Sequence, residues 1–317
     1  MDVTLVLNPA ARAGARTGVA MRTAERLRAG GVRVTMVSGG SAAETTALLR
    51  TALGLGTDAV VVAGGDGTVS LAIQELAGTG VPLGIVPVGT GNDLAQALGL
   101  RDLDADGAAA AVLAGRTRTI DLARAVRPDG SSVLYATVLA GGFDSRVNDR
   151  ANRMQWPRGP RRYTVAILIE FLTLRGIPFD VDLELADGRA VRSSGDLIMA
   201  TVGNGPSYGG GIPICPDADL EDGLLDVTLV RPIGRMRLLR LLPRVYRGTH
   251  TSLAPVETFR ARRVRLSAPA VTAYADGEPL GSLPLEIQPA PRALRVFTRA
   301  APPAARSAPG SPDLPVR

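Results

Sequence analysis

From the N-terminus to about residue 120 the chain alternates short apolar runs with segments of helical period: VTLVL, GVAMRTAERLRAG, VRVTMV, AAETTALLRTAL, DAVVVA, TVSLAIQELAG, PLGIVP and NDLAQALGL. Unbroken apolar runs between amphipathic segments predict parallel strands covered by helices on both faces. Loops leaving the carboxyl ends of such strands gather where ligands bind. Beyond residue 120 the pattern turns β-rich, in VLYATVLAGGF, FDVDLELADGRAVRSSGDLIMATVGNG, LLDVTLVRP and VTAYADGEPLGSLPLEIQ, with Asp-Gly pairs marking turns of an antiparallel second part. Two helices are expected to interrupt it, near residues 160–175 and 235–247. The expected organisation is an α/β domain over 1–120, a β-rich domain over 121–299 and a Pro/Ala/Ser-rich, disordered tail over 300–317.

Composition narrows the chemistry. With 317 residues, 45% of them hydrophobic, the chain can bury two cores. The single Cys215 allows no internal disulfide, and the start MDVTLVLNPA has no basic segment followed by a long apolar stretch, so the cytoplasm is expected. The longest apolar candidate, YTVAILIEFLTLRGI, is interrupted by Glu170 and Arg175 and falls short of the ~20 residues of a membrane span. Net charge is +6, and all 36 basic residues are arginine. Without lysine there is no Walker-type phosphate lysine, no Schiff base and no lysine base. With His250 as the one histidine there is no histidine pair for a metal. Carboxylates, backbone amides, hydroxyls, arginines and a metal ion remain. His250 and Cys215 are read as packed, structural residues.

Two loops carry the strongest signal. In AGGDGT, Gly64, Gly65 and Gly67 let the backbone approach a ligand, and the helix that follows turns its positive end toward it. A plain strand-to-helix turn capped by Asp66 or Thr68 is the competing reading. The next strand ends in VPVGTGNDLA, where Gly89, Thr90 and Gly91 precede Asn92 and Asp93 at another helix start. Two such loops at one sheet edge would form a cradle for an anionic ligand with two carboxylates beside it.

NPAARAG in the first loop, GGDGT and VGTGNDLA resemble the catalytic domain of the diacylglycerol kinase and sphingosine kinase superfamily, in particular its soluble bacterial lipid kinase branch. AGGFDSRV, NGPSYGGG, DADLEDGLLDV, YRGTH and ADGEPL resemble the same branch, in order, to about residue 299. The resemblance implies a phosphofructokinase-like N-terminal α/β domain and a C-terminal β-sandwich with the active site in the cleft between them, the last strand returning to the first domain. It also implies ATP as phosphate donor, with Asn8, Thr35, the stretch Gly64, Gly65, Asp66, Gly67, Thr68, Val69 and Ser70, and Thr90 on nucleotide-binding positions. Asp66, Asp93 and Asp121 fall on a carboxylate network that organises catalytic Mg²⁺, largely through water, as suits an ion that keeps much of its hydration. Asp222, with the carbonyls of Asp219 and Leu224, falls on a separate structural Mg²⁺ site, for which a turn entering a strand is the plainer reading. Glu278 falls on the family's general base, although ADGEPL viewed locally is a hairpin turn with Asp-Gly at its tip. Two positions depart from the family: NPAAR lacks a common serine, and Ser70 stands where asparagine or glutamate is usual.

The expected activity is therefore ATP-dependent phosphorylation of the hydroxyl of diacylglycerol or a related lipid alcohol. Its rivals are a soluble-substrate kinase of the NAD kinase type, which shares GGDG, and a catalytically silent protein of the same fold. GTGNDLA and ADGE favour the lipid kinase, and the four carboxylates argue against a silent protein. The resemblance leaves room for a homodimer. Arginines interleaved with apolar residues in SRVNDRANRMQWPRGPRRY, around Trp156, and in RMRLLRLLPRVYR, with Leu238, Leu239, Leu241 and Leu242, suit peripheral contact with an anionic membrane surface as well as a solvated helix face. No motif for nucleic acid accompanies the charge.

Overall fold

Four apolar runs of the first 120 residues become parallel strands, because a helix between each consecutive pair returns the chain to the same sheet edge. In the computed structural model, which describes residues 1–7, 15–154, 156 and 161–299, they are β1 (Asp2–Leu7), β2 (Arg33–Val37), β3 (Ala59–Gly64) and β4 (Leu83–Pro87), in spatial order β2-β1-β3-β4. Val60, Val61 and Val62 of β3 are fully buried, each contributing on the order of 1.5–3 kcal/mol by leaving water. Helices α1 (Ala15–Ala29) and α5 (Ala105–Leu113) cover one face, through Leu27 and Val112. Helices α2 (Ala42–Gly54) and α3 (Asp66–Leu76) cover the other, through Leu49 and Ile73. Helix α5 is absent from the sequence reading: its alanines show little periodicity, and its clearest signal is Asp104, whose side chain accepts from Gly107 N at 2.8 Å as an N-cap. The segment NDLAQALGL yields only a short helix, α4 (Asp93–Ala97).

The rest is built on an antiparallel sheet. Strands β5 (Thr117–Val126), β6 (Ser132–Tyr135) and β7 (Val138–Gly142) lead to the helices α6 (Phe143–Arg153) and α7 (Arg161–Leu172). They are followed by β8 (Ile177–Leu185), β9 (Ala190–Leu197), β10 (Met199–Gly203), β11 (Leu225–Val230), α8 (Arg235–Tyr246), β12 (Val256–Ser267), β13 (Thr272–Ala275), β14 (Glu278–Ser282) and β15 (Leu285–Phe297). The path runs β14-β13-β7-β10-β11-β12-β15, with the β8–β9 hairpin on β12 and the β5–β6 pair on β15. Strand β8 alternates strictly between buried and exposed residues, and its buried Phe179, Val181 and Leu183 enter a core shared with Leu229, Val264 and Leu285. Helices α7 and α8 stand where helices were expected, whereas α6 begins inside a segment read as strand. Strand β15 pairs with β12 and β5 and also, in parallel, with β4 at Val296↔Leu83, so it belongs to both halves of the molecule.

Candidate active site

Strand β3 ends at Gly64, and the backbone turns through Gly65 directly into α3. Gly65 and Gly89 touch backbone to backbone: a Cβ on Gly65 would lie 3.0 Å from the Gly89 Cα. That approach joins the two glycine loops into one wall and admits no side chain at either position. The N–H groups of Asp66 and Gly67, in the first turn of α3, make no hydrogen bond among the described residues and remain available to an anion. The loops border a cavity of about 400 Å³ lined by Gly65, Asp66, Gly67, Thr68, Gly89, Thr90 and Glu278, with Ala42, Thr45 and Leu71 closing one side. Its volume is that of a small-ligand site.

Asp66 does not cap its own helix. Its Oδ2 accepts from Asn92 N at 2.9 Å and its Oδ1 from Asp93 N at 2.7 Å, so it ties the second loop to the first. Asn92, in the left-handed region at φ 56°, closes that loop by exchanging hydrogen bonds with the Gly89 backbone at 3.0 Å each. Asp93 is buried, and its Oδ1 accepts from Gly210 N at 2.8 Å and Gly211 N at 3.1 Å. Burial first, and then the charge of Asp66, push its carboxyl up to about 6.

The Asp-Gly tip expected in ADGEPL is present: Asp276 and Gly277 both have positive φ, 50° and 82°, as a type I′ turn requires. The Asp276 carboxylate turns inward, accepting from Ala136 N at 2.8 Å, Thr137 N at 2.9 Å and Thr137 Oγ1 at 2.5 Å. Those bonds fix the hairpin so that Glu278, at the start of β14, reaches the cavity. A Cβ on Gly67 would stand 2.6 Å from Glu278 Oε1. Partial burial raises the Glu278 carboxyl above the ordinary range.

The other residues singled out in the sequence divide. Gly64, Gly65, Asp66, Gly67, Thr68 and Thr90 border the cavity or its wall. Val69 packs into the core behind α3, Ser70 is outside the cavity lining, and Thr35 is exposed on the edge strand β2. Asn8 lies outside the described residues, as do residues 300–317. Asp121 is not in the Asp66–Asp93 network. Its Oδ2 accepts from Gly223 N at 2.7 Å and its Oδ1 from Arg292 N at 2.6 Å, so backbone donors engage both oxygens and the residue staples the 219–224 loop to β15. Asp276 instead is the carboxylate whose charge helps to push the Asp93 carboxyl up, and its own is raised, after burial, by Asp66. Sequence reasoning missed it because the position reads as a turn residue; the one available signal was that the carboxylate side chain at the tip had no local task.

Metal fit differs between the two places. Asp66, Asp93, Asp276 and Glu278 have no arginine ion-paired to them among the described residues, and this concentration of uncompensated negative charge beside an anion cradle suits a hydrated divalent cation. In the 219–224 loop the side chains already have partners of their own. Asp222 Oδ1 accepts from Leu224 N at 2.9 Å, its Oδ2 pairs with Arg260, and Asp219 Oδ1 accepts from Glu221 N at 3.0 Å. Arg260 therefore supplies the positive charge there. At neither place do three or more His, Cys, Asp or Glu side chains form a metal-ligating group among the described residues, so an ion beside Asp66 and Asp93 would draw most of its ligands from water and phosphate oxygens. Cys215 is buried and its thiol pushed up to about 11; His250 is buried, its ring lowered by that burial and its Nε2 set 3.1 Å from Ile214 O. Neither faces the cavity.

Beyond the cleft, α7 and α8 expose apolar side chains. Glu170, which interrupts the apolar run of α7, faces inward onto Arg150 of α6 at 2.5 Å, leaving Ile167, Leu168 and Leu172 outward and about half exposed. Helix α8 exposes Met236, Leu239, Leu242 and Tyr246 among arginines 235, 237, 240 and 244, none of them ion-paired among the described residues. Trp156 is 82% exposed. Among the described residues no helix is long and apolar enough to cross a membrane.

The glycine-loop cradle, with carboxylates at its rim that have no ion pair among the described residues, is a fold and site shared by phosphotransferases, and the comparisons with known proteins say which kind. Residues 2–125 match the diacylglycerol kinase catalytic domain, and residues 137–298 match the YegS C-terminal NAD kinase beta sandwich-like domain. A diacylglycerol kinase of Mycobacterium tuberculosis (strain H37Rv) is 46% identical over 295 residues, covering 93% of this chain and 94% of its own. A probable lipid kinase YegS-like of Yersinia enterocolitica is 30% identical over 270 residues, 83% of this chain and 85% of its own. In fold, a putative diacylglycerol kinase from Bacillus anthracis superposes with a TM-score of 0.71 at 20% identity, covering 94% of this chain and 97% of the other. The chain belongs to the diacylglycerol kinase family, and it is a lipid kinase.

Proposed function

We propose that the enzyme transfers the γ-phosphoryl group of ATP to the free hydroxyl of diacylglycerol, with Glu278 as general base. The observation that carries this reading is the placement of the Glu278 carboxylate against Gly67, at the first turn of α3 and on the rim of the glycine-lined cavity. The Asp66 and Gly67 N–H groups and the α3 N-terminus receive the nucleotide's phosphates. Glu278 takes the proton of the lipid hydroxyl as its oxygen forms a bond to the γ-phosphorus and the bond to ADP breaks. Its raised proton affinity suits it to hold that proton during transfer. Mg²⁺ held with the phosphates near Asp66 and Asp93 would neutralise the charge that builds on the transferring group. Asp66 and Asp276 keep the loops and the hairpin in the register that this alignment needs.

The substrate stays in a bilayer, so the enzyme works at a membrane surface. The exposed leucines of α8 and its arginines, which have no ion pair among the described residues, together with the apolar outer face of α7 and Trp156, supply a surface that adsorbs to anionic lipid. The deciding assay incubates the protein with labelled ATP, Mg²⁺ and vesicles carrying diacylglycerol, a sphingoid base or neither. Phosphatidic acid as the labelled product supports the reading. Labelled sphingoid phosphate, or labelled NADP⁺ when NAD⁺ is the acceptor, replaces it.

A further inference from the structure

Asp93 is held from the other half of the molecule. The turn after β10 runs through Gly209, Gly210 and Gly211, at φ 62°, 84° and 104°. Its Gly210 and Gly211 N–H groups donate to Asp93 Oδ1 at 2.8 and 3.1 Å, which leaves Oδ2 without a hydrogen bond among the described residues. Three successive glycines impose no conformation of their own, so neighbours must define this turn. Within it, Tyr208 O accepts from Ile212 N at 2.8 Å and Gly211 N at 3.2 Å. From the other half, Arg101 Nη1 donates to Gly210 O at 2.9 Å and also to Gln96 Oε1. The Gln96 carboxamide fills the space that a Cβ on Gly211 would need.

Local sequence brings Arg101 to the turn. Helix α4 ends in a Schellman motif: Gly99, at φ 71°, donates to Gln96 O at 2.9 Å, and Leu100 N donates to Ala95 O at 2.7 Å. The Leu100 side chain is buried, so the chain folds back beside the helix and Arg101 emerges next to Gln96. Arg101 itself is exposed, and its hydrogen bonds among the described residues end on two neutral oxygens rather than on a carboxylate. The carbonyl it holds belongs to the same peptide group as the Gly211 N–H. Arg101 and Asp93 therefore grip opposite ends of one peptide, the cation at its oxygen and the carboxylate at its N–H. Hydrogen bonds in such a chain polarise one another, and a charged partner at each end strengthens both.

We propose that Arg101 is a positioning residue for phosphoryl transfer: its guanidinium, braced by Gln96, fixes the peptide between Gly210 and Gly211, and the turn so fixed holds Asp93 by Oδ1 and leaves Oδ2 to the hydration shell of the cation. The inference rests on the reading that Asp93 serves the transfer. Arg101 makes no hydrogen bond to Asp93 among the described residues and acts through the turn. Without it, the two N–H groups sit on a glycine turn that is free to move away from the buried carboxylate.

The test compares Arg101→Met, which keeps an apolar stem and removes the donors, with the wild type and with Asp93→Asn. It measures kcat, the KM for ATP, the half-activating Mg²⁺ concentration, Tm and backbone amide exchange over residues 209–211. Supporting partners of metal-organising groups typically govern roughly 10–100-fold in activity or metal affinity. Arg101→Met is expected to lower kcat about tenfold and raise the Mg²⁺ requirement, leaving the KM for ATP within about twofold. Exchange at Gly210 and Gly211 should quicken, while Tm stays close to wild type because the side chain is exposed. Normal kcat and Mg²⁺ dependence, unchanged exchange in the turn, or a loss of kcat that only tracks Tm would each overturn the proposal. Full activity of Asp93→Asn would instead overturn the reading of the site, and this proposal with it. An inactive Asp93→Asn beside a normal Arg101→Met overturns this proposal alone.

Discussion

The carboxylate of Glu278 rests against the Cα of Gly67, 2.6 Å from where a methyl group on that glycine would stand. A carboxylate on one half of the molecule, the base of the proposed mechanism, is thereby brought onto the helix start of the other, and glycine is the residue that permits it. Gly67→Ala is expected to displace the carboxylate and lower kcat. Glu278→Gln is expected to lower kcat by ~10² to 10⁴-fold with the affinity for ATP little changed. Steady-state kinetics with a nucleotide-binding titration check both, and a Glu278→Gln variant that keeps most of its turnover would remove this residue from the mechanism.

Asp66→Asn is expected to lose more than its charge. Both Asp66 oxygens accept backbone N–H groups of the second glycine loop, and an amide can accept with only one of its two ends. The remaining end would set two donors against each other, so this variant should lose activity and some thermal stability together. Asp93→Asn keeps an acceptor for Gly210 and Gly211 and should lose activity with little change in Tm. Parallel melting curves and Mg²⁺ titrations separate the two outcomes.

The acidic limb of the pH profile should lie unusually high for carboxylates. In the proposed mechanism Asp93 and Glu278 both act in their ionised forms, and burial raises the proton affinity of both, that of Asp93 to about 6. As pH falls through that region the groups take up protons, and kcat/KM should fall with it, while above pH 7 it should be flat on this side. The groups share one electrostatic environment, so the limb reports apparent values for the set. More Mg²⁺ should move it to lower pH, because a neighbouring cation favours ionised carboxylates. A limb that ignores Mg²⁺ would place the titrating group outside the site.

Activity on vesicles should depend on surface charge. Replacing Arg237, Arg240 and Arg244 together with glutamine is expected to weaken binding to anionic vesicles and reduce turnover of embedded diacylglycerol, sparing a short-chain soluble analogue. Salt should act like the substitutions, since these exposed charges are screened over about 8 Å at physiological ionic strength. Leu168→Ser on α7 should reduce vesicle binding without changing its salt dependence. Equal loss on both substrates would assign the arginines to the nucleotide or the fold.

Arg260 should make the 219–224 loop independent of metal. In the absence of nucleotide, Mg²⁺ and a chelator are expected to leave Tm unchanged in the wild type. Arg260→Gln, which strips the counter-charge from Asp222 and from Asp226, whose carboxyl burial already pushes to about 6, should lower Tm and render it responsive to Mg²⁺. A wild-type Tm that rises with Mg²⁺ alone would show that the loop takes a cation beside the arginine.

The sequence by itself determined the parallel α/β half, both glycine loops and the position of Glu278, because these rest on local signals. An apolar run such as AVVVAG has few alternatives to a buried strand, and glycines at a strand-to-helix turn state where backbone must come close. Helices α5 and α6 escaped for the same reason in reverse. One has alanine at five of its nine positions and little amphipathic pattern, and the other follows directly on an apolar strand that hides its start. Tertiary structure alone decided which acids work together. Asp121 sits in a motif that points to the metal network, yet backbone N–H groups from residues 223 and 292 engage both its oxygens, while Asp276, 155 positions further along, is within electrostatic reach of Asp66 and Asp93. The grip of the 208–211 turn on Asp93, and of Arg260 on Asp222, likewise joins residues that no spacing relates. A carboxylate's role depends on which donors and charges surround it, and those are set by chain segments that meet only once the sheet of one half has been sewn to the other through β15.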